Sequence, residues 1–169
     1  FTEDFSLKQS GITLSLGRQL EWPDNYFTLT NSLSFLVYNY SNYLIGSTAL
    51  PPVGATNSFI FNTTLARNSI DNPMFPTGGS SVSLSLSLTP PYSLFRDANF
   101  VNDINQRYKW LELYKVMFDS KFYLKLLGSS KPTGRSLVLE ARAHLGFIGA
   151  YNKNLPTGPF ERFFMGGAG

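Results

Sequence analysis

His144 is the only histidine in the chain, and at two-residue spacing it shares a strand face with Glu140 and Arg142. A histidine beside a carboxylate is the usual starting point for general acid–base chemistry. Such a base needs a nucleophile to activate, and no G-x-S-x-G elbow accompanies it. The sequence therefore offers no catalytic residue and reads as a non-enzyme. The 11 acidic residues show no metal-ligand spacing, and with no cysteine there is neither a thiolate site nor a disulfide framework. No metal and no cofactor is expected. Gly166-Gly167-Ala168-Gly169 lacks the lysine and following helix of a phosphate loop, and reads as the root of a flexible loop. Asn39-Tyr40-Ser41 and Asn62-Thr63-Thr64 match the glycosylation triplet, but Asn62 falls in the middle of a strand. What remains for Glu140, Arg142 and His144 is a polar ladder, with Glu140 and Arg142 pairing across strands with Lys115, Asp119 or Lys121.

Hydrophobic residues make up 43% of the chain and charged residues only 15%, against roughly a quarter in soluble domains. Something other than a charged surface must satisfy the apolar side chains. The net charge of +3 is small and its basic residues are scattered, which excludes the footprint of a nucleic-acid binder. Apolar runs such as Phe35-Leu36-Val37 fall far short of the roughly 20 residues of a membrane helix. The start, Phe1-Thr2-Glu3-Asp4-Phe5, lacks the basic and apolar regions of a signal peptide, so an exported protein would contain this chain as an internal piece.

A period of two dominates. In Ser81-Val82-Ser83-Leu84-Ser85-Leu86-Ser87-Leu88-Thr89 every even position is apolar and every odd one a hydroxyl. Ile12, Leu14 and Leu16 alternate with Thr13, Ser15 and Gly17. Phe27, Leu29, Leu33, Phe35 and Val37 alternate with Thr28, Thr30, Ser32 and Ser34, and Phe59, Phe61 and Leu65 with Ile60, Asn62, Thr64 and Ala66. A long run over 108–127 sets Trp110, Tyr114, Val116, Phe118 and Phe122 against Lys115, Asp119 and Lys121. The last sets Leu137, Leu139, Ala141, Ala143, Leu145 and Phe147 against Glu140, Arg142 and His144. The pattern predicts an all-β chain of six strands, with a helical turn allowed only at 97–106.

The connections alternate short (21–25), long (40–57), short (70–79), long (90–107) and short (128–135), before a glycine-rich tail from Gly149. That is the rhythm of an antiparallel up-and-down membrane barrel, with tight turns at the periplasmic rim and longer outer loops. Trp22, Tyr26 and Phe27 would fall at one rim, and Tyr38, Tyr40, Tyr43 and Tyr92 at the other, as aromatic girdles. A soluble β-sandwich binding module also alternates, but its wet face is usually rich in charge, whereas most of these strands carry Ser, Thr, Asn and Gly there. Most of the runs also reach the 9 to 11 residues, roughly, that cross a bilayer obliquely. On this reading Val82, Leu84, Leu86, Leu88, Leu137, Leu139 and Leu145 face lipid, while Ser83, Ser85, Ser87, Asp119, Lys121, Glu140, Arg142 and His144 face the lumen. Six strands with two free edges are not tolerable in lipid, so further strands must complete the barrel.

Two stretches are more specific. The turn Arg67-Asn68-Ser69-Ile70-Asp71-Asn72-Pro73-Met74-Phe75-Pro76-Thr77-Gly78-Gly79-Ser80 resembles the one joining two central strands of BamA-type outer-membrane assembly factors, in which an aspartate (Asp71) leads to an aromatic-proline-x-glycine corner. Pro73 lies within it, Pro76 fixes φ, and Gly78 or Gly79 can supply a positive φ. The stretch 137–149, followed by Tyr151-Asn152-Lys153 and Pro159-Phe160-Glu161-Arg162-Phe163-Phe164-Met165-Gly166-Gly167, is similar to that family's strand leading into its large inward-folding loop. Thr89-Pro90-Pro91-Tyr92-Ser93-Leu94-Phe95 and Tyr108-Lys109-Trp110 resemble the Bacteroidetes-type versions.

The resemblance implies the central part of a barrel of about sixteen strands in the outer membrane of a Gram-negative bacterium. It also implies a protein that folds and inserts other outer-membrane proteins without ATP. The periplasmic repeats, signal peptide and terminal strands would lie outside residues 1–169, which would form one piece of a single barrel domain. Phe160, Phe163, Phe164, Gly166 and Gly167 would form the root of the inward loop, turning in at the outer rim. Partners implied are outer-membrane lipid and lipopolysaccharide, unfolded outer-membrane client proteins and accessory assembly subunits. The rival readings are a related secretion barrel, a porin-like channel, and the soluble sandwich.

Overall fold

The computed structural model describes residues 6–41, 53–95, 103, 109–128, 136–152 and 163. Six strands, β1 (Ser6–Gln19), β2 (Phe27–Ser41), β3 (Val53–Asn68), β4 (Gly79–Leu88), β5 (Tyr114–Gly128) and β6 (Ser136–Gly149), form one sheet in sequence order. Every neighbouring pair is antiparallel. The connections after β1, β3 and β5 therefore lie at one rim and those after β2 and β4 at the other. A 3-10 turn, Tyr92–Phe95, is the one helical element among the described residues.

Register turns the alternation into two chemically distinct faces. Leu29, Leu65, Leu84, Phe118 and Leu145 stand opposite one another in a row across β2 to β6. On the other face Gly17, Thr30, Thr64, Ser85, Met117 and Gly146 make the neighbouring row. Hydroxyls join across it: Thr13 and Ser34 Oγ lie 2.9 Å apart, as do Thr64 and Ser85. Ser87 Oγ donates to Asn62 Oδ1 at 2.9 Å. Small polar side chains thus satisfy one another within the wall.

No second sheet packs on the apolar face among the described residues. Ile12, Leu14, Leu16, Leu84, Leu145 and Phe147 are all exposed, Leu16 by 74%. A sandwich would bury this face, so the β-sandwich rival is not the fold formed. Among the described residues the buried apolar ones are instead Tyr38, Tyr40, Leu111 and Leu113, gathered where the chain crosses one rim.

That rim departs from expectation. The alternation over 108–127 predicted one strand including Trp110, but β5 begins at Tyr114. Trp110 forms an isolated parallel bridge to Asn57 of β3. The cause is upstream, since Pro90 and Pro91 have no N–H with which β4 could continue along β3. β4 pairs with β3 only from Phe61 downward, and the edge above would stay open. Residues 109–113 fill it. Asn57 N–H donates to Lys109 O (2.8 Å), Leu111 N–H donates to Asn57 O (3.1 Å), and Thr89 N–H donates to Leu113 O (3.0 Å). Leu113 N–H in turn donates to Thr89 Oγ1 at 2.7 Å.

The connection expected over 40–57 is shorter, because β2 runs to Ser41 and β3 starts at Val53. The helical turn allowed at 97–106 lies outside the described residues except for Asp103, as do 129–135 of the last short turn. β5 carries a bulge between Lys125 and Leu127.

Candidate functional site

The polar face of β5 and β6 gathers the charged residues singled out above. Register sets Asp119 opposite His144, Lys121 opposite Arg142 and Tyr123 opposite Glu140. His144 Nδ1 and Asp119 Oδ1 are hydrogen bonded across the strands. Glu140 and Arg142 do not make the cross-strand ion pairs expected of them. Arg142 faces another cation and turns along its own strand to Glu140, while Glu140 accepts a hydrogen bond from Tyr123 Oη at 3.1 Å. Like charges opposite one another repel, and the i,i+2 carboxylate on the same face is the available counter-charge. His144 and Asp119 side chains are 62% and 46% exposed, a geometry that screens charge and shields no reacting atom from water. Among the described residues no group of acidic, histidine or cysteine side chains could hold a metal ion.

Val82, Leu84, Leu86 and Leu88 share a face with Val116, Phe118, Leu139 and Leu145, and Leu137 joins it opposite Leu127. Ser83, Ser85 and Ser87 lie on the other face with Asp119, Met117 and Lys115.

One residue of the tail, Phe163, reaches this polar face. Phe163 packs against Gly146, and Lys115 Nζ lies 4.6 Å from the centroid of its ring. Phe160, Phe164, Gly166 and Gly167 lie outside the described residues.

At the opposite rim the turn after β3 is built around Asp71. Its carboxylate accepts hydrogen bonds from Asn72 N–H (2.9 Å), Thr77 N–H (3.0 Å), Gly78 N–H (3.2 Å) and the Thr77 hydroxyl. The Thr77 hydroxyl, then the Thr77 N–H, pull its pKa down to about 2. Asn72 Oδ1 takes Met74 and Phe75 N–H, which leaves Met74 and Phe75 80% and 75% exposed. Pro73 is exposed and Pro76 half-buried in the same corner. Of the two glycines offered for the left-handed position, Gly79 takes it (φ +103°), where a side chain would strike the Ser69 carbonyl.

One contact was not anticipated. Arg67 lies on the apolar parity of β3 at its end, opposite Phe27. Its guanidinium bonds Asp24 from the turn after β1, Nε to Oδ2 and Nη2 to Oδ2 both at 2.9 Å. It lies over the rings of Tyr26 and Phe27 at 5.5 and 5.8 Å and donates to the Ser69 and Ser80 hydroxyls. Two turns of one rim are thereby tied together. A cation ending the mainly apolar parity of β3, after Phe59, Phe61 and Leu65, was the signal for it.

The aromatic girdles are corrected in part. Trp22 is 83% exposed at the Arg67 rim, but Tyr38 and Tyr40 have the parity of Ser32 and Ser34 and are buried on the polar side. Gly54 leaves room for the Tyr40 ring. The Tyr92 ring packs tilted against Trp110, centroids 4.8 Å apart, where burial first, then the Glu112 carboxylate, raises its pKa. Tyr43 lies outside the described residues. Set against known proteins, residues 1–169 match the family model of the Omp85 superfamily domain. No curated protein matches the chain.

Proposed function

Because the chain belongs to the Omp85 superfamily, whose members serve outer-membrane β-barrel assembly or secretion and are not in general enzymes, we propose that it is barrel wall from a BamA-type assembly factor. The family occurs in outer membranes of Gram-negative bacteria and of organelles; the membrane proposed here is that of a Gram-negative bacterium. The supporting observation is the sheet itself, with a continuous apolar row from Leu29 to Leu145, exposed at Leu65, Leu84 and Leu145, backed by a row of mainly hydroxyls and glycine. Lipid would cover the first face and an enclosed lumen the second. The outer edges of β1 and β6 have no strand partner among the described residues, and further strands of the same barrel, about sixteen in all, would close them.

In this reading the wall holds its shape through the Arg67–Asp24 tie and the strap at 109–113, while the tail folds onto the lumen face. A stiff wall lets a seam elsewhere in the barrel offer strand edges to unfolded clients, with accessory subunits on the periplasmic side. Edge pairing of that kind supplies main-chain hydrogen bonds without ATP.

The test is reconstitution of the intact protein in lipid vesicles, followed by addition of several urea-denatured outer-membrane proteins. Protease-resistant, heat-modifiable products from unrelated clients are expected. Passage of a single partner through the bilayer, with no client inserted, would establish the secretion reading instead.

A further inference from the structure

Gly146 sits in the interior of β6 with no positive φ, so nothing in its backbone calls for glycine, and glycine in a strand interior loses packing. The ring of Phe163 accounts for it. A Cβ at Gly146 would lie 2.7 Å from Phe163 Cζ and 3.0 Å from Cε1 and Cε2, so that with any other residue there the ring would have to shift. The ring edge therefore occupies the place where any other residue would carry its first carbon. On β5, Lys115 lies on the same polar face, one pair from the Met117–Gly146 pair. Its ammonium is 4.6 Å from the ring centroid, within range for attraction to the π face.

We propose that Gly146 and Lys115 form a seat on the polar face, and that Phe163 is the positioning residue that fixes the returning chain there, just above the Asp119–His144 pair. Its importance for client insertion rests on the assembly reading given above; the seat itself does not. An aromatic ring held by van der Waals contact and one cation gives a latch that opens locally without disturbing the strand ladder.

Trypsin cleavage at Arg162, the residue before Phe163, reads the latch in the intact protein. Cleavage through a transient opening follows the open population. Gly146→Val and Phe163→Ser should each speed cleavage about tenfold, and Lys115→Met by less. The double variant Gly146→Val with Phe163→Ala should recover protection, because the wall then supplies the carbon the tail has lost. Phe163→Ser leaves the wall untouched and keeps the test decisive if Gly146→Val does not fold, as judged by heat-modifiable gel mobility. Native cleavage rates in both single variants, or no recovery in the double variant, would overturn the seat. Fast cleavage in Phe163→Ser with client assembly at the native rate would uphold the seat and remove the tail's role in assembly.

Discussion

Replacing Leu84 with Arg puts the two-faced wall to its most direct test. Leu84 lies near the middle of the ten residues of β4, between Leu65 and Phe118 on the apolar row. At roughly 3.4 Å per residue β4 is about 34 Å long, and a tilt of about 40° brings its height to about 26 Å, matching the apolar band of a membrane barrel. Leu84 is therefore within a few ångströms of the bilayer midplane. An arginine there costs about 2 to 4 kcal/mol, a shift of roughly 30- to 900-fold in the folding equilibrium. Ser85→Arg places the same cation one residue on but on the hydroxyl face, where the main loss is the hydrogen bond to Thr64, about 1 kcal/mol. Urea titration of the heat-modifiable folded band, with the intact protein in lipid vesicles, measures both. Leu84→Arg should unfold at clearly lower urea. If Ser85→Arg is as damaging as Leu84→Arg, or more so, lipid does not cover the apolar face and the barrel reading fails.

Two further outcomes follow from the Arg67 rim. Asp71 has its pKa lowered from 3.8 to about 2, so its contribution is complete above the unfolded value and is lost as pH falls through the folded one. Protection of the Thr77 and Gly78 amides from hydrogen exchange, corrected for intrinsic rate, should drop across that window, and an unchanged profile in Asp71→Asn would show that another group is responsible. Arg67→Met should lower stability by about 1 kcal/mol through the half-exposed Asp24 pair and the ring contacts. A double-mutant cycle with Asp24→Asn should return a coupling of about 0.5 to 1 kcal/mol, and zero coupling would mean the two turns are not tied.

The strands were legible in the sequence because a period of two reports directly which side chains share a face. Ser81 to Thr89 needed no tertiary information to be read as one greasy and one wet face, and the meander followed from the alternation of short and long connections. The Asp71 corner was likewise local, its ligands lying within seven residues. Other features depended on where distant segments arrive. Trp110 had the parity of β5 but was taken by the open edge of β3, a consequence of two prolines some twenty residues earlier. Arg142 met Lys121 because register, which alternation leaves undetermined, set them opposite. Tyr38 and Tyr40 looked like rim aromatics but are buried on the polar side. Gly146 carried no local signal at all, since its reason is a ring from a tail 17 residues further on. Periodicity fixes the face of each residue; the partner it meets there is decided by register and by which chain segment fills an otherwise unpaired edge.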